Sequence, residues 1–205
     1  MNQIVVSMRC VFSTLLMIFV AESVMALSPL SKWVDHECEF ATFRLPDECR
    51  VPLGHFGVAL RQPFYKDGKL EYIIDEKAVA YEYMSSAHIE ILQFRLEGNA
   101  SINMSQARRL YDEMIDHRSQ GNSKIRWLQT SDSTLTGSVS YTERQIKDSR
   151  WIEAPWYMLI FMKKIGDEIY SVEGGFETNS SILTIEERRE LIKGIFDSLR
   201  PKVAK

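Results

Sequence analysis

The sequence predicts an α+β fold, a largely antiparallel sheet with two main helices packed on it. Three observations carry this. The β-rich segments form two groups, each followed by one helix-patterned segment, an order that favours helices segregated on an antiparallel sheet over alternating βαβ units. Only Ser105–Arg118 and the segment opened by Thr184 place their apolar residues at helical spacing. Gly166-Asp167 is a tight-turn dipeptide between two β-rich runs and joins them as a hairpin.

Taken in order, Leu27 to Glu37 reads as an irregular lead-in with Trp33 as an anchor. Glu39–Leu45 is a strand that stops at Pro46-Asp47. A second extended stretch, Val51 to Leu60, is made irregular by Gly54 and Gly57. Pro63 breaks the chain and Lys66-Asp67-Gly68 turns it. Leu70–Ile74 and Ala78–Tyr83 follow as two short strands, then Ala87–Leu96, where polar and apolar residues alternate.

The first helix carries Ala107, Leu110, Tyr111, Met114 and Ile115 on one stripe, with Asn103 or Ser105 to cap it and Gly121-Asn122 to end it. Four strands come next: Lys124–Gln129, Leu135–Gln145, Trp156–Lys163 and Glu168–Phe176, with Asp132 in the first turn. Met158 to Met162 is apolar on both faces, as a covered central strand would be. Gly174-Gly175 suggests a bulge. The last helix has a capping box, Thr184 with Glu187, and an apolar stripe of Leu191, Ile192, Ile195, Phe196 and Leu199 before Pro201.

The first 26 residues predict where the chain works. Arg9 precedes the apolar run Cys10–Val20, and Val24-Met25-Ala26 offers small to medium side chains for cleavage. This is the layout of a secretory signal peptide, residues 1–26, ahead of a single domain at 27–205. An uncleaved N-terminal anchor is the alternative, although the run is short for a bilayer. Beyond it no apolar stretch is long enough to span a membrane. The formal net charge of −3 leaves no basic surplus for phosphate contacts, which argues against a nucleic-acid partner.

Cys38 and Cys49 remain after cleavage, and in an oxidising compartment a lone pair is most simply a disulfide. A redox pair is the alternative, though its cysteines usually stand closer in sequence. Asn99, Asn103 and Asn179 open Asn-x-Ser sequons, which would accept glycans only in a eukaryotic secretory pathway.

Catalytic signatures are missing. There is no Gly-x-Ser-x-Gly elbow; Thr136-Gly137-Ser138 lies inside a strand. His36, His55, His88 and His117 are scattered, and no metal or cofactor is expected. Asp112, Glu113 and Asp116 fall on the solvent face of the first helix. The residues expected to bind are Trp151 and Trp156 with Arg150, in a loop between two strands, and Tyr65 beside Pro63. Aromatics beside an arginine are common interface anchors. Plugging the end of the core is the other role open to the tryptophans.

Phe43-Arg44-Leu45-Pro46, the Glu168–Phe176 strand and the ending Leu183-Thr184 through Ile195-Phe196-Asp197-Ser198-Leu199-Arg200-Pro201 resemble the PsbP/DcrB-like family. That resemblance implies an α-β-α sandwich. Asp47-Glu48-Cys49 stands where that family usually has Gly-Trp. Locally, Cys38 to Val51 is similar to periplasmic immunity proteins that neutralise type VI secretion effectors. Both resemblances imply binding proteins rather than enzymes. The expectation is therefore a periplasmic or secreted protein-binding domain, most concretely an immunity protein against a secreted antibacterial toxin. An envelope accessory or chaperone-like protein is the alternative. A pocket where histidine and carboxylates converge would favour an enzyme instead.

Overall fold

A computed structural model describes residues 32–51, 58–84, 87–147, 150–178 and 183–202. The expected signal peptide lies outside the described residues, as do Gly54, His55, Gly57 and Asn179. No helix among the described residues is long and apolar enough to cross a membrane.

The strands are β1 (Trp33–Glu37), β2 (Ala41–Pro46), β3 (Cys49–Arg50), β4 (Val58–Lys66), β5 (Lys69–Tyr83), β6 (Ala87–Leu96), β7 (Arg126–Ser131), β8 (Thr134–Lys147), β9 (Arg150–Ile165), β10 (Glu168–Glu177) and β11 (Arg200–Pro201). The helices are α1 (Met104–Ser119) and α2 (Ile185–Ser198). Eight strands make one sheet in the order β3-β5-β6-β10-β9-β8-β7, with β4 also on β5. A small sheet runs β1-β2-β11. Every pairing is antiparallel.

Side chains alternate across the large sheet, so each face takes one helix. Leu92, Phe94, Leu135, Val139, Ile160 and Met162 form one core with Leu110, Tyr111 and Ile115 of α1. Tyr111 Oη donates to Ser171 Oγ at 2.8 Å, which satisfies a phenol buried in that core.

The opposite face takes α2. Its Leu191, Ile192, Ile195 and Phe196 are buried, worth roughly 1.5–3 kcal/mol each by transfer. Phe196 packs on Phe161 with ring centroids 5.6 Å apart. Lys163 Nζ donates to the carbonyls of Phe196 and Leu199 at 3.1 and 2.9 Å, so β9 satisfies the end of this helix. The small sheet adjoins the same face through Phe43 and Tyr81, whose centroids lie 5.8 Å apart. The expected α+β class and the α-β-α layering are both present.

Several local expectations change. Residues 33–37 form β1 rather than an irregular lead-in, and Trp33 lies against Gly194 of α2. Pro63 does not break the chain. β4 borders the sheet, and an edge strand tolerates a missing donor. The chain irregularity there is a register shift between Phe64 and Tyr65. The two short strands expected from Leu70 to Tyr83 are one, β5. Gly174-Gly175 forms no bulge, for β10 pairs regularly on both sides. Gly174 instead makes room for Ile192: a Cβ there would lie 2.6 Å from Ile192 Cγ1. The Asp67-Gly68 turn has φ of 50° and 74°, as a tight hairpin needs.

Candidate functional site

β8 and β9 form a ribbon that outruns the rest of the sheet. β10 stops at Glu177, opposite Trp156, and the N–H of Thr178 donates to the Pro155 carbonyl at 2.8 Å. β7 reaches only Ser138 of β8. From Glu143↔Ala154 to Lys147↔Arg150, five residue pairs, the two strands pair only with each other among the described residues. At about 3.4 Å per residue this is an arm of roughly 17 Å.

Trp151 and Arg150 are therefore in a strand rather than a loop, opposite Ile146 and Lys147. Pro155 disguised this strand in the sequence. In a strand the N–H and C=O of one residue point to the same side. The Pro155 carbonyl faces Thr178, so its missing N–H lies on the side where β10 ends and β8 loses no bond to it.

Trp156 sits at the base of this arm, opposite Tyr141. Both rings line a cavity of about 220 Å³ together with Met158, His88, Glu90, Glu173 and Gly175. The register explains the convergence. Glu173 stands directly opposite Glu90, and Gly175 opposite His88 on one side and Met158 on the other. All these side chains project to the α1 side of the sheet, since Tyr141, Met158 and Trp156 belong to or pack on the α1 core. Gly175 has no side chain and leaves the floor open. A Cβ there would lie 3.5 Å from the Trp156 ring.

His88 Nε2 lies 2.7 Å from Glu90 Oε1. Glu173 is only 4% exposed. The Trp156 indole N–H is buried with no acceptor among the described residues. An imidazole oriented by a carboxylate, with a second carboxylate beside it, can exchange protons with a bound molecule. Among the described residues the lining contains no serine, threonine or cysteine.

Of the expected binding residues only Trp156 lines this cavity. Tyr65, 57% exposed, lies near the β4–β5 turn, where its carbonyl accepts from Arg109 Nη2 at 3.0 Å. The strand register puts that turn at the far end of the sheet from Trp156. Tyr65 and Trp156 do not form one surface.

His88, Glu90, Tyr141 and Glu173 were not singled out by the sequence. His88 and Glu90 read as the polar half of an alternating strand. Glu173 did carry a signal: it is a charge inside a strand whose central residues are all buried, and a buried charge calls for a partner or a purpose.

The expected Cys38–Cys49 disulfide is not formed, and both residues are free thiols. Cys49 stands on β3 opposite Tyr83. Cys38 follows β1, and its N–H donates to the Ala41 carbonyl at 2.9 Å. The two share a neighbour, Tyr81, whose phenol is raised to about 12 by burial first and then by the two sulfurs. Burial also pushes the Cys38 thiol up and the Cys49 thiol to about 12, the opposite of what an activated cysteine needs. Among the described residues no group of three or more His, Cys, Asp or Glu could hold a metal ion. His36 instead stacks on Phe43 with centroids 6.2 Å apart.

No protein-family model matches the chain. No curated protein matches it either. Two solved structures are similar in layout. One is the solution structure of cyanobacterial PsbP (CyanoP) from Synechocystis sp. PCC 6803, at a TM-score of 0.45 and 9% identity, covering 86% of this chain and 96% of that one. The other is a crystal structure from Bacteroides thetaiotaomicron VPI-5482, at 0.40 and 10%, covering 85% of this chain and 49% of that one. The fold class itself rests on the strand order and layering described above.

Proposed function

We propose that this chain is an exported domain that binds another protein through the β8–β9 arm, most concretely an immunity protein that occludes a secreted antibacterial toxin. One observation carries the reading. The arm presents two strands whose outer edges carry no third strand among the described residues. Such edges are templates for a partner's strand, and a lone two-stranded ribbon is marginal in water. Arg150 and Trp151, at the arm's end, supply residue types that interfaces use as anchors. Export is proposed from the Arg9, Cys10–Val20 and Val24-Met25-Ala26 pattern.

The test is an affinity pull-down of the tagged protein from its own cells' envelope and secreted fractions, read by mass spectrometry. Wild type should capture one stoichiometric toxin-like partner, and Trp151→Ala or Arg150→Ala should release it. Several envelope proteins, or a partner held equally by both variants, would overturn the arm-and-toxin reading and favour an envelope accessory role.

A second reading, proton-transfer catalysis at the cavity, is favoured by the His88–Glu90 contact beside Glu173. It requires turnover in a panel of small hydrolysable substrates that His88→Gln abolishes.

A further inference from the structure

A buried cation on the α2 side of the sheet carries an inference that does not depend on the partner reading. We propose that Arg188, near the start of α2, anchors a binding site for a small monocarboxylic acid, with the Tyr157 hydroxyl as a further donor.

The packing dictates where Arg188 lies. Ile192 fills the space over Gly174. Arg188 precedes Ile192 by four residues and shares its face of α2. Phe176 follows Gly174 by two and shares its face of β10. The guanidinium accordingly sits over the Phe176 ring, 5.2 Å from its centroid. Tyr157 stands opposite Phe176 on β9.

The charge is poorly matched to this place. Arg44, Arg61, Arg95, Arg108 and Arg109 are exposed, and each has a carboxylate partner. Arg188 is only 6% exposed and has no ion pair among the described residues. It also lies near the positive end of α2, which disfavours a cation and favours an anion. Glu187, next to it in sequence, is held by Thr184. Burial lowers Arg188 from its ordinary 12.5, with Tyr157 acting the other way, and the guanidinium stays ionised. A buried charge without a counter-charge is costly.

What is left of the guanidinium selects its ligand. One face covers Phe176, and Nε donates to the Leu183 carbonyl at 3.0 Å. Nη1 and Nη2 make no hydrogen bond among the described residues. They form a fork that matches the two oxygens of one carboxylate. One cation balances one negative charge, so a monocarboxylate fits better than a phosphate dianion. The small accessible edge suits a small acid rather than the broad face of a protein.

The experiment is a nitrogen-15 NMR titration of the intact protein, read at the Arg188 Nε–H signal. Arg188→Lys assigns that signal; should this variant not fold, through-space contacts to the Phe176 ring assign it. The probes are benzoate, its neutral counterpart benzamide, and chloride at equal ionic strength. Benzoate should move the signal saturably, with a Kd on the order of 1–10 mM, a usual strength for so small a ligand. Benzamide and chloride should not move it. Tyr157→Phe should weaken benzoate about tenfold, the usual effect of one hydrogen bond to a charged group.

Four results would overturn the proposal. The first is no Arg188 shift with benzoate at roughly 100 mM, far above such a Kd, which would leave Arg188 a packing residue over Phe176. The second is an equal shift with benzamide or chloride, which would mean that no carboxylate is recognised. The third is benzoate binding unchanged in Tyr157→Phe, which would place it elsewhere. The fourth is release of a captured protein by Tyr157→Phe in the pull-down, which would make the carboxylate part of that protein rather than a free acid.

Discussion

Gly174 and Gly175 are adjacent, yet the sheet gives them opposite surroundings. Gly174 faces α2, where a Cβ would meet Ile192 Cγ1 at 2.6 Å and Phe176 Cε2 at 3.0 Å. Gly175 faces the cavity, where the nearest atom would be 3.5 Å away, an ordinary contact. Gly174→Ala should therefore destabilise the protein by about 1–3 kcal/mol, the usual range for overpacking. Gly175→Ala should stay within about 0.5 kcal/mol of wild type. Urea unfolding of both variants checks this. Equal losses would mean that α2 does not press on β10 as described. The sequence marked the pair as unusual but assigned it to a bulge. Nothing local says that an isoleucine eighteen residues downstream fills the gap.

At the scale of elements, the helices were more legible than the strands. Thr184 and Glu187 are close in sequence and make the cap they promise: the Glu187 N–H donates to Thr184 Oγ1 at 3.2 Å, and the Thr184 N–H to Glu187 Oε2 at 2.7 Å. Those bonds hold the Glu187 carboxyl below its ordinary value of 4.5, first through the Thr184 backbone and then its hydroxyl. A lowered folded-state value stabilises above the unfolded value and is lost on acidification, so this contribution fades as pH falls below 4.5. Thr184→Ala should cost about 1 kcal/mol near neutral pH. The gap to wild type should shrink in acid, as thermal melts across that range would record. A gap independent of pH would mean that the carboxylate plays no part in the cap.

Strands were harder because their limits depend on partners. β5 was split in sequence at Asp75-Glu76-Lys77. These residues continue the strand because both neighbours are in place there: Arg61 opposite Asp75 on β4, and Phe94 opposite Glu76 on β6. Pro63 read as a break, and the stretch around Pro155 as a loop, for the same reason. Whether a proline interrupts a strand depends on whether another strand wants its N–H, and that is a property of the sheet. The cavity follows the same logic. Its histidine, carboxylates and aromatics come from β6, β8, β9 and β10, and only the register puts them together.

The described residues form three layers whose contacts are lined by buried acids that ionise late. Tyr111 lies between α1 and the large sheet, its phenol held well above 10.0, chiefly by burial. Tyr81 and Cys49 lie where the small sheet meets the large one, each raised to about 12 by burial first. Tyr170, on the α2 side, is raised to about 12 by burial and then by its hydrogen bond to Glu168. Their ordinary values are 9.0 for the thiol and 10.0 for the phenols.

Between those values and about 12 the folded chain holds protons that the unfolded chain has released. The slope of stability with pH is then negative, so stability falls as pH rises through this window. Thermal melts of the reduced protein should keep one Tm up to about pH 9 and lose it steadily toward about pH 12. Under oxidising conditions the melts also test the cysteines. If Cys38 and Cys49 join, the thiol no longer titrates, the protein becomes more stable, and the fall begins nearer the phenol value of 10.0. A Tm unchanged to about pH 12 in reductant would mean that the phenols are as wet in the folded layers as in the unfolded chain, and the layering would be wrong.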